Sequence, residues 1–163
     1  MSTSSNPASI SGVEPPEFEL RAARADDFGF ARRLYMNSMK PLLMALDAWN
    51  ADEMEMAFRS YFIPDEIKFV TLDGRDVGWF QVSETDHDVC IDQLYLIKDV
   101  RGQGIGTALV KSIISEAADQ DKNVCLSFVH GNPAHTLYRR LGFRQVSEDD
   151  TKIHMRYETR QAG

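Results

Sequence analysis

The chain has 163 residues, of which 43 % are hydrophobic and 26 % charged, a size and balance that suit one globular domain with a real core. Its formal net charge of −7 argues against nucleic acid as the main partner, because phosphate backbones demand a basic face, and suits a cationic acceptor such as an amine. No apolar run approaches the ~20 residues of a membrane span.

Met1 to Gly12 lack the basic start and apolar stretch of a secretory signal. The expectation is a flexible tail over residues 1–16 and a single domain over 17–163. Phe18 to Ala23 alternates as a first strand. Asp26 and Asp27 are placed to cap a helix that Pro41 should stop after Lys40. A second helix is expected over Ala51 to Phe62, with Asn50 as its cap. Lys68–Leu72 and Val77–Val82 flank Asp73-Gly74, a strong hairpin signal, and Val89–Ile97 continues the meander. Cys90 and Cys125 lie in apolar strand-like runs, so they read as buried free thiols of a reducing, cytoplasmic setting.

Arg101-Gly102-Gln103-Gly104-Ile105-Gly106 follows that third strand and opens an amphipathic helix, with Ile105, Ala108, Leu109, Ile113 and Ala117 on one face. Strand, glycine turn and helix in this order make an anion cradle of bare N–H groups at the positive end of the helix. Neither common nucleotide motif fits. A P-loop requires Gly-Lys-Ser/Thr at the helix start, but Lys111-Ser112 lies far down the helix. A dinucleotide fingerprint would place its third glycine at Thr107 or Leu109, and the acidic residue after the next strand is missing. Asn123–Val129 is a buried strand, Asn132 or Pro133 starts a helix that Gly142 closes, and Phe143–Val146 and Lys152–Tyr157 are late strands. The order β-α-α-β-β-β-α-β-α-β-β indicates an α/β chain with a mixed sheet.

Leu94-Tyr-Leu-Ile-Lys-Asp-Val-Arg-Gly-Gln-Gly-Ile-Gly106 resembles the acyl-CoA-binding motif of the GNAT acetyltransferase superfamily. Asn132-Pro-Ala-His-Thr-Leu-Tyr-Arg-Arg-Leu-Gly-Phe143 resembles a second segment of that family, and Leu20 to Asp27 resembles its first strand and cap. Lys98 departs from the pattern, standing where many members carry Pro. The resemblance implies a mixed, mostly antiparallel sheet that splays at the motif strand and is flanked by about four helices. It implies acetyl-CoA as co-substrate, no metal, and direct transfer to a primary amine, small molecule or peptide, in a ternary complex. The alternative on the same fold is a non-catalytic acyl-CoA-binding module.

Carried over, the pyrophosphate contacts fall on Arg101, Gly102, Gln103, Gly104, Ile105, Gly106 and Thr107. The backbone of Leu94, Tyr95 and Leu96 would pair with the pantetheine arm, with the Leu96 N–H aimed at the thioester carbonyl, and Asn132 would hold the arm from the other side. Tyr138 is the implied general acid: a thiol has a pKa of ~8.5 and a tyrosine ~10, so the phenol can donate to a thiolate as charge builds. The base is sought among Asp92, Glu84 and Asp88, with Asp92 the most informative because it interrupts an apolar run. The first two helices should wall the acceptor site, with Tyr35 and Trp49 as first candidates and Glu84 nearby, although core packing is the plainer account of the methionines there. The four histidines show no ligand spacing, and His135 is expected on an exposed helix face. The family also pairs late strands such as Lys152–Tyr157 across dimers.

Overall fold

The computed structural model describes residues 15–160, so most of the expected tail lies outside the described residues. Eleven main elements follow the order expected: β1 (Glu19–Ala22), α1 (Phe28–Ala45), α2 (Ala51–Tyr61), β2 (Ile67–Leu72), β3 (Arg75–Glu84), β4 (Asp88–Leu96), α3 (Ile105–Asp119), β5 (Asn123–Val129), α4 (Ala134–Leu141), β6 (Arg144–Glu148) and β7 (Lys152–Tyr157). One seven-stranded sheet runs β1-β2-β3-β4-β5-β7-β6. Only β4 and β5 pair in parallel; the other neighbours are antiparallel. Among the described residues no helix is long and apolar enough to cross a membrane.

Each face of the sheet carries its own core. Val110, Leu109, Ile105 and Ala117 of α3 and Tyr138 of α4 pack on Val89, Ile91, Val124, Leu126 and Met155. On the other face α1 and α2 deliver Ala31, Leu34, Tyr35 and Phe58 onto Ile67, Phe69 and Trp79. The indole of Trp79 is fully buried and donates to the Ala31 carbonyl at 3.2 Å, so its polar edge is satisfied. Asp73 and Gly74 both take positive φ, +52° and +78°, as a two-residue hairpin turn requires.

Four local expectations are corrected. Pro41 lies inside α1, which runs on to Ala45. An interior proline costs ~3 kcal/mol, but the extra turn buries Leu43, and a buried Leu returns ~1.5–3 kcal/mol. Asp27 makes no side-chain cap to α1. Its carboxylate instead takes two bonds from the Arg21 guanidinium, at 2.9 and 3.0 Å, and one from the Arg24 N–H at 2.7 Å. Strand β7 has both edges occupied, by β5 and β6, so among the described residues β6, exposed along its length, is the edge strand on that side.

Cys90 and Cys125 are not buried free thiols. They face each other in register on the parallel pair β4–β5, with Cα atoms 4.6 Å apart, and form a disulfide. They are half-buried and lie on the face opposite Val89, Ile91 and Val124. Alternation along each strand puts both sulfurs on that open face. The argument for a reducing compartment drawn from free thiols falls with this pairing.

Candidate active site

The site begins at an irregularity. Gln81 pairs with Gln93, but Val82 pairs with Ile91, so Asp92 is an extra residue on β4. A bulge bends its strand and re-aims a side chain. Strand β4 pairs with β5 only from Asp88 to Ile91, opposite Asn123 to Leu126. Beyond that point the two strands part, and a cavity of about 390 Å³ opens between them.

The backbone of β4 faces this opening. The Ile97 N–H donates to the Val77 carbonyl on β3 at 2.8 Å. Peptide groups alternate along a strand, so those of Leu96 and Leu94 point away from β3, toward the gap. The Arg101 Nε donates to the Leu96 carbonyl at 2.9 Å, which confirms that orientation and commits the arginine to the chain itself. Gly78 makes the close approach of β3 and β4 possible: a Cβ there would collide with the Tyr95 carbonyl and come within 2.6 Å of the Leu96 side chain.

At the end of β4 a short 3-10 turn, Lys98–Val100, leads into the glycine loop. Gly102 and Gly104 adopt φ of +78° and +89°, a region where L side chains are strained. Gly104 is the N-cap of α3 and no side chain caps that helix. The first intrahelical bond is Ala108 N–H to the Gly104 carbonyl at 3.0 Å. The amides of Ile105, Gly106 and Thr107 before it have no partner within the helix and stand at its positive end. Arg101, Gly102, Gln103 and Gly104 are exposed. Uncapped amides beside bare glycines fit an anionic phosphate group.

Across the gap, Asn132 accepts from the Ala134 N–H at 2.9 Å. Its side-chain oxygen thereby starts α4, and its amide nitrogen remains available to the cavity it lines. Tyr138 lies on the inner face of α4, 7 % exposed, against Phe128 and Phe143. Burial pushes its phenol up to about 12, so it keeps its proton through the working range. His135 is half-buried against the Phe128 ring, at 5.3 Å, instead of on an exposed face.

Helices α1 and α2 close the far side. Tyr35, Met39, Met54 and Tyr61 contribute the apolar wall, and Glu53 a carboxylate. Tyr35 is buried against Phe58 and Tyr95, and burial pushes it up to about 12. Tyr95 is pushed well above the usual tyrosine value by burial, and its hydroxyl donates to Gln93. The Asp92 carboxyl is raised above the ordinary value by burial, with the Ser83 hydroxyl pulling the other way.

The structure thus gathers Tyr35, Asp92, Leu94, Tyr95, Asn132 and Tyr138 on one cavity, with the Arg101–Thr107 loop at the end of its β4 wall. Three sequence candidates stand elsewhere. Trp49 lies outside the cavity lining, with the Lys40 ammonium 5.7 Å from its ring. Glu84 pairs with Lys122 at 2.8 Å near the β3–β4 turn, and Asp88 pairs with Arg156 at 2.8 Å. Glu53, Tyr61 and Ser127 line the cavity without having been singled out from sequence. Nothing local marks them, because it is packing across the sheet that brings them to the gap.

A family model described as an acetyltransferase (GNAT) domain matches residues 64–145, half of the chain. Among solved structures, the PaiA N-acetyltransferase from Thermoplasma acidophilum in complex with coenzyme A is similar at 14 % identity, over 87 % of this chain and 99 % of that one, with a TM-score of 0.70. The ribosomal-protein-S18-alanine N-acetyltransferase from Escherichia coli is similar at 17 % identity, over 90 % and 97 %, with a TM-score of 0.67. At these identities the likeness is one of fold. A comparison with curated proteins finds no match.

Proposed function

Because the chain belongs to the GNAT acetyltransferase family, we propose that it is an N-acetyltransferase that moves the acetyl group of acetyl-CoA directly to a primary amine. The observation that carries this reading is the gap between β4 and β5, whose cavity is lined by Leu94 and by a buried, protonated Tyr138, with the Leu96 peptide group turned away from β3 in the same sense further along β4. The thioester supplies an activated acyl group and a thiolate leaving group. The loop amides from Gly102 to Thr107 hold the pyrophosphate, and Asn132 holds the pantetheine arm.

The Leu96 N–H donates to the thioester oxygen as negative charge develops there, the role of an oxyanion donor. Tyr138 donates its proton to the departing sulfur. Transfer from ~10 to ~8.5 is uphill in water, and burial steepens it, so the phenol acts first as a hydrogen-bond donor that strengthens as charge builds. Asp92 lines the same cavity and attracts the incoming ammonium. The acceptor that suits the cavity is an amine with an apolar portion: Met39, Met54 and Tyr61 adapt to such a group, while Glu53 and Asp92 favour its charge.

Calorimetry should give coenzyme A binding at a 1:1 ratio and none for NAD. Thiol release from acetyl-CoA should then appear with at least one member of a panel of primary amines. Binding of coenzyme A without thiol release for any amine would support the acyl-CoA-binding module instead.

A further inference from the structure

The recess beside the cavity holds a side-chain chain that the mechanism above does not use. Ser127 on β5 lines both the cavity and the recess. Its Oγ lies 2.6 Å from His154 Nδ1, directly across the β5–β7 ladder. His154 Nε2 lies 3.3 Å from Asp149 Oδ2 in the β6–β7 turn. The other oxygen of Asp149 accepts the N–H groups of Thr151 and Lys152, at 2.8 and 2.7 Å. Those bonds hold its carboxyl down at about 2, so it is an anion that can only accept.

In a neutral imidazole ring these bonds set the direction of each hydrogen. Asp149 has no proton to give, so His154 Nε2 must carry one and donate it. Nδ1 is then a bare lone pair, and the short contact to Ser127 must be Oγ–H donating to Nδ1. The hydroxyl hydrogen is turned away from the cavity, leaving the Ser127 oxygen lone pairs free to accept an N–H of whatever enters.

We propose that Ser127, His154 and Asp149 form a proton relay that takes the proton of the acceptor amine, a role that rests on the acetyltransferase reading. The amine N–H bond breaks as a proton passes to Ser127 Oγ. The Ser127 O–H bond breaks in the same event and the hydrogen passes to His154 Nδ1. The serine ends as it began, and the imidazolium so formed is stabilised by Asp149 and loses its proton to water, since His154 is partly open to solvent. An imidazole is suited to this because its charge changes near neutrality.

Charged groups of both signs surround the ring. Lys152 and Arg156 flank His154 on β7 and line the same recess, with Arg156 already paired to Asp88. Asp92 and Glu66 face the recess from the β4 and β2 side. Glu148 on β6 sits 3.6 Å from His130, whose ring also contacts the Asp149 carbonyl. In this arrangement Asp92 anchors the ammonium, and the relay removes its proton.

The test has two arms on the full chain. In the first, Ser127→Ala and His154→Gln should each lower kcat/KM for an active amine at pH 7 by about 10²-fold, with acetyl-CoA KM unchanged. The deficit should shrink at high pH, where the amine arrives already deprotonated. A loss that is the same at every pH, a loss below twofold, or a pH pattern reproduced by Asp92→Asn and not by His154→Gln overturns the relay. The second arm needs no acceptor: nitrogen NMR should show His154 as the Nε2–H tautomer, with a titration midpoint that falls in Asp149→Asn. An Nδ1–H tautomer, or a midpoint indifferent to Asp149, overturns the relay even if the chain proves an active acetyltransferase. Absence of thiol release with every amine strikes the acetyltransferase reading itself.

Discussion

Tyr138 shows how one residue can be prepared by its surroundings. It is held by the rings of Phe128 and Phe143 and by no charged partner, so burial alone raises its phenol. A donor that never ionises in the working range adds no basic limb of its own to the pH profile. Tyr138→Phe keeps the ring packing and removes only the hydroxyl. It should lower kcat by about 10–10²-fold and leave coenzyme A affinity within twofold in calorimetry; undiminished turnover would remove Tyr138 from the reaction. Asp92 is prepared differently, by a bulge that turns a carboxylate out of the ladder. From sequence, a charge inside Cys90 to Ile97 was visible, but not the side on which it would emerge.

At the scale of elements, the pairing of β3 with β4 sets the geometry that β4 presents. Gly78 stands opposite Leu96, and a methyl group there has backbone on one side, which cannot give way as a flexible side chain would. Gly78→Ala should push Leu96 toward the gap. The expected result is a coenzyme A affinity at least tenfold weaker, measured by calorimetry, together with a lower Tm. Unchanged binding would mean that β4 relaxes along its length and that Leu94 and Leu96 do not set the contact. Most elements were legible in the chain because their signals are local: Asp73-Gly74 for the hairpin, Asn50 accepting from Glu53 N–H at 3.0 Å for the start of α2, and Gly142 at φ +109° for the end of α4. Pro41 misled because a local penalty was offset by the burial of Leu43, which depends on the fold.

For the whole molecule, the two cores stabilise opposite faces, while β5, β7 and β6 leave an open recess on the α1/α2 side. The Cys90–Cys125 bond ties together the only parallel pair in the sheet, just before the strands part. It links residues 35 apart in sequence. A cross-link of that span limits the unfolded chain and contributes about 2–4 kcal/mol. Reductant should therefore move the urea midpoint down by a clear margin, and the Cys90→Ser/Cys125→Ser variant should match the reduced protein. Coincident curves with and without reductant would show that the bond contributes nothing to stability. Ser127 stands two residues from Cys125 on β5, so the proposed relay and the cross-link share that one strand.

The sequence alone determined the element order, because turns, caps and periodicity act between residues close along the chain, and it carried the two motifs whose resemblance pointed to the family. Only the tertiary structure decided that Cys90 meets Cys125, that Trp49 and Glu84 lie away from the cavity, and that Ser127 reaches His154 and Asp149. Each of these depends on strand register and on which face of the sheet stays uncovered. Those are set by the packing of helices and strands distant in sequence, for which a single chain carries no local mark.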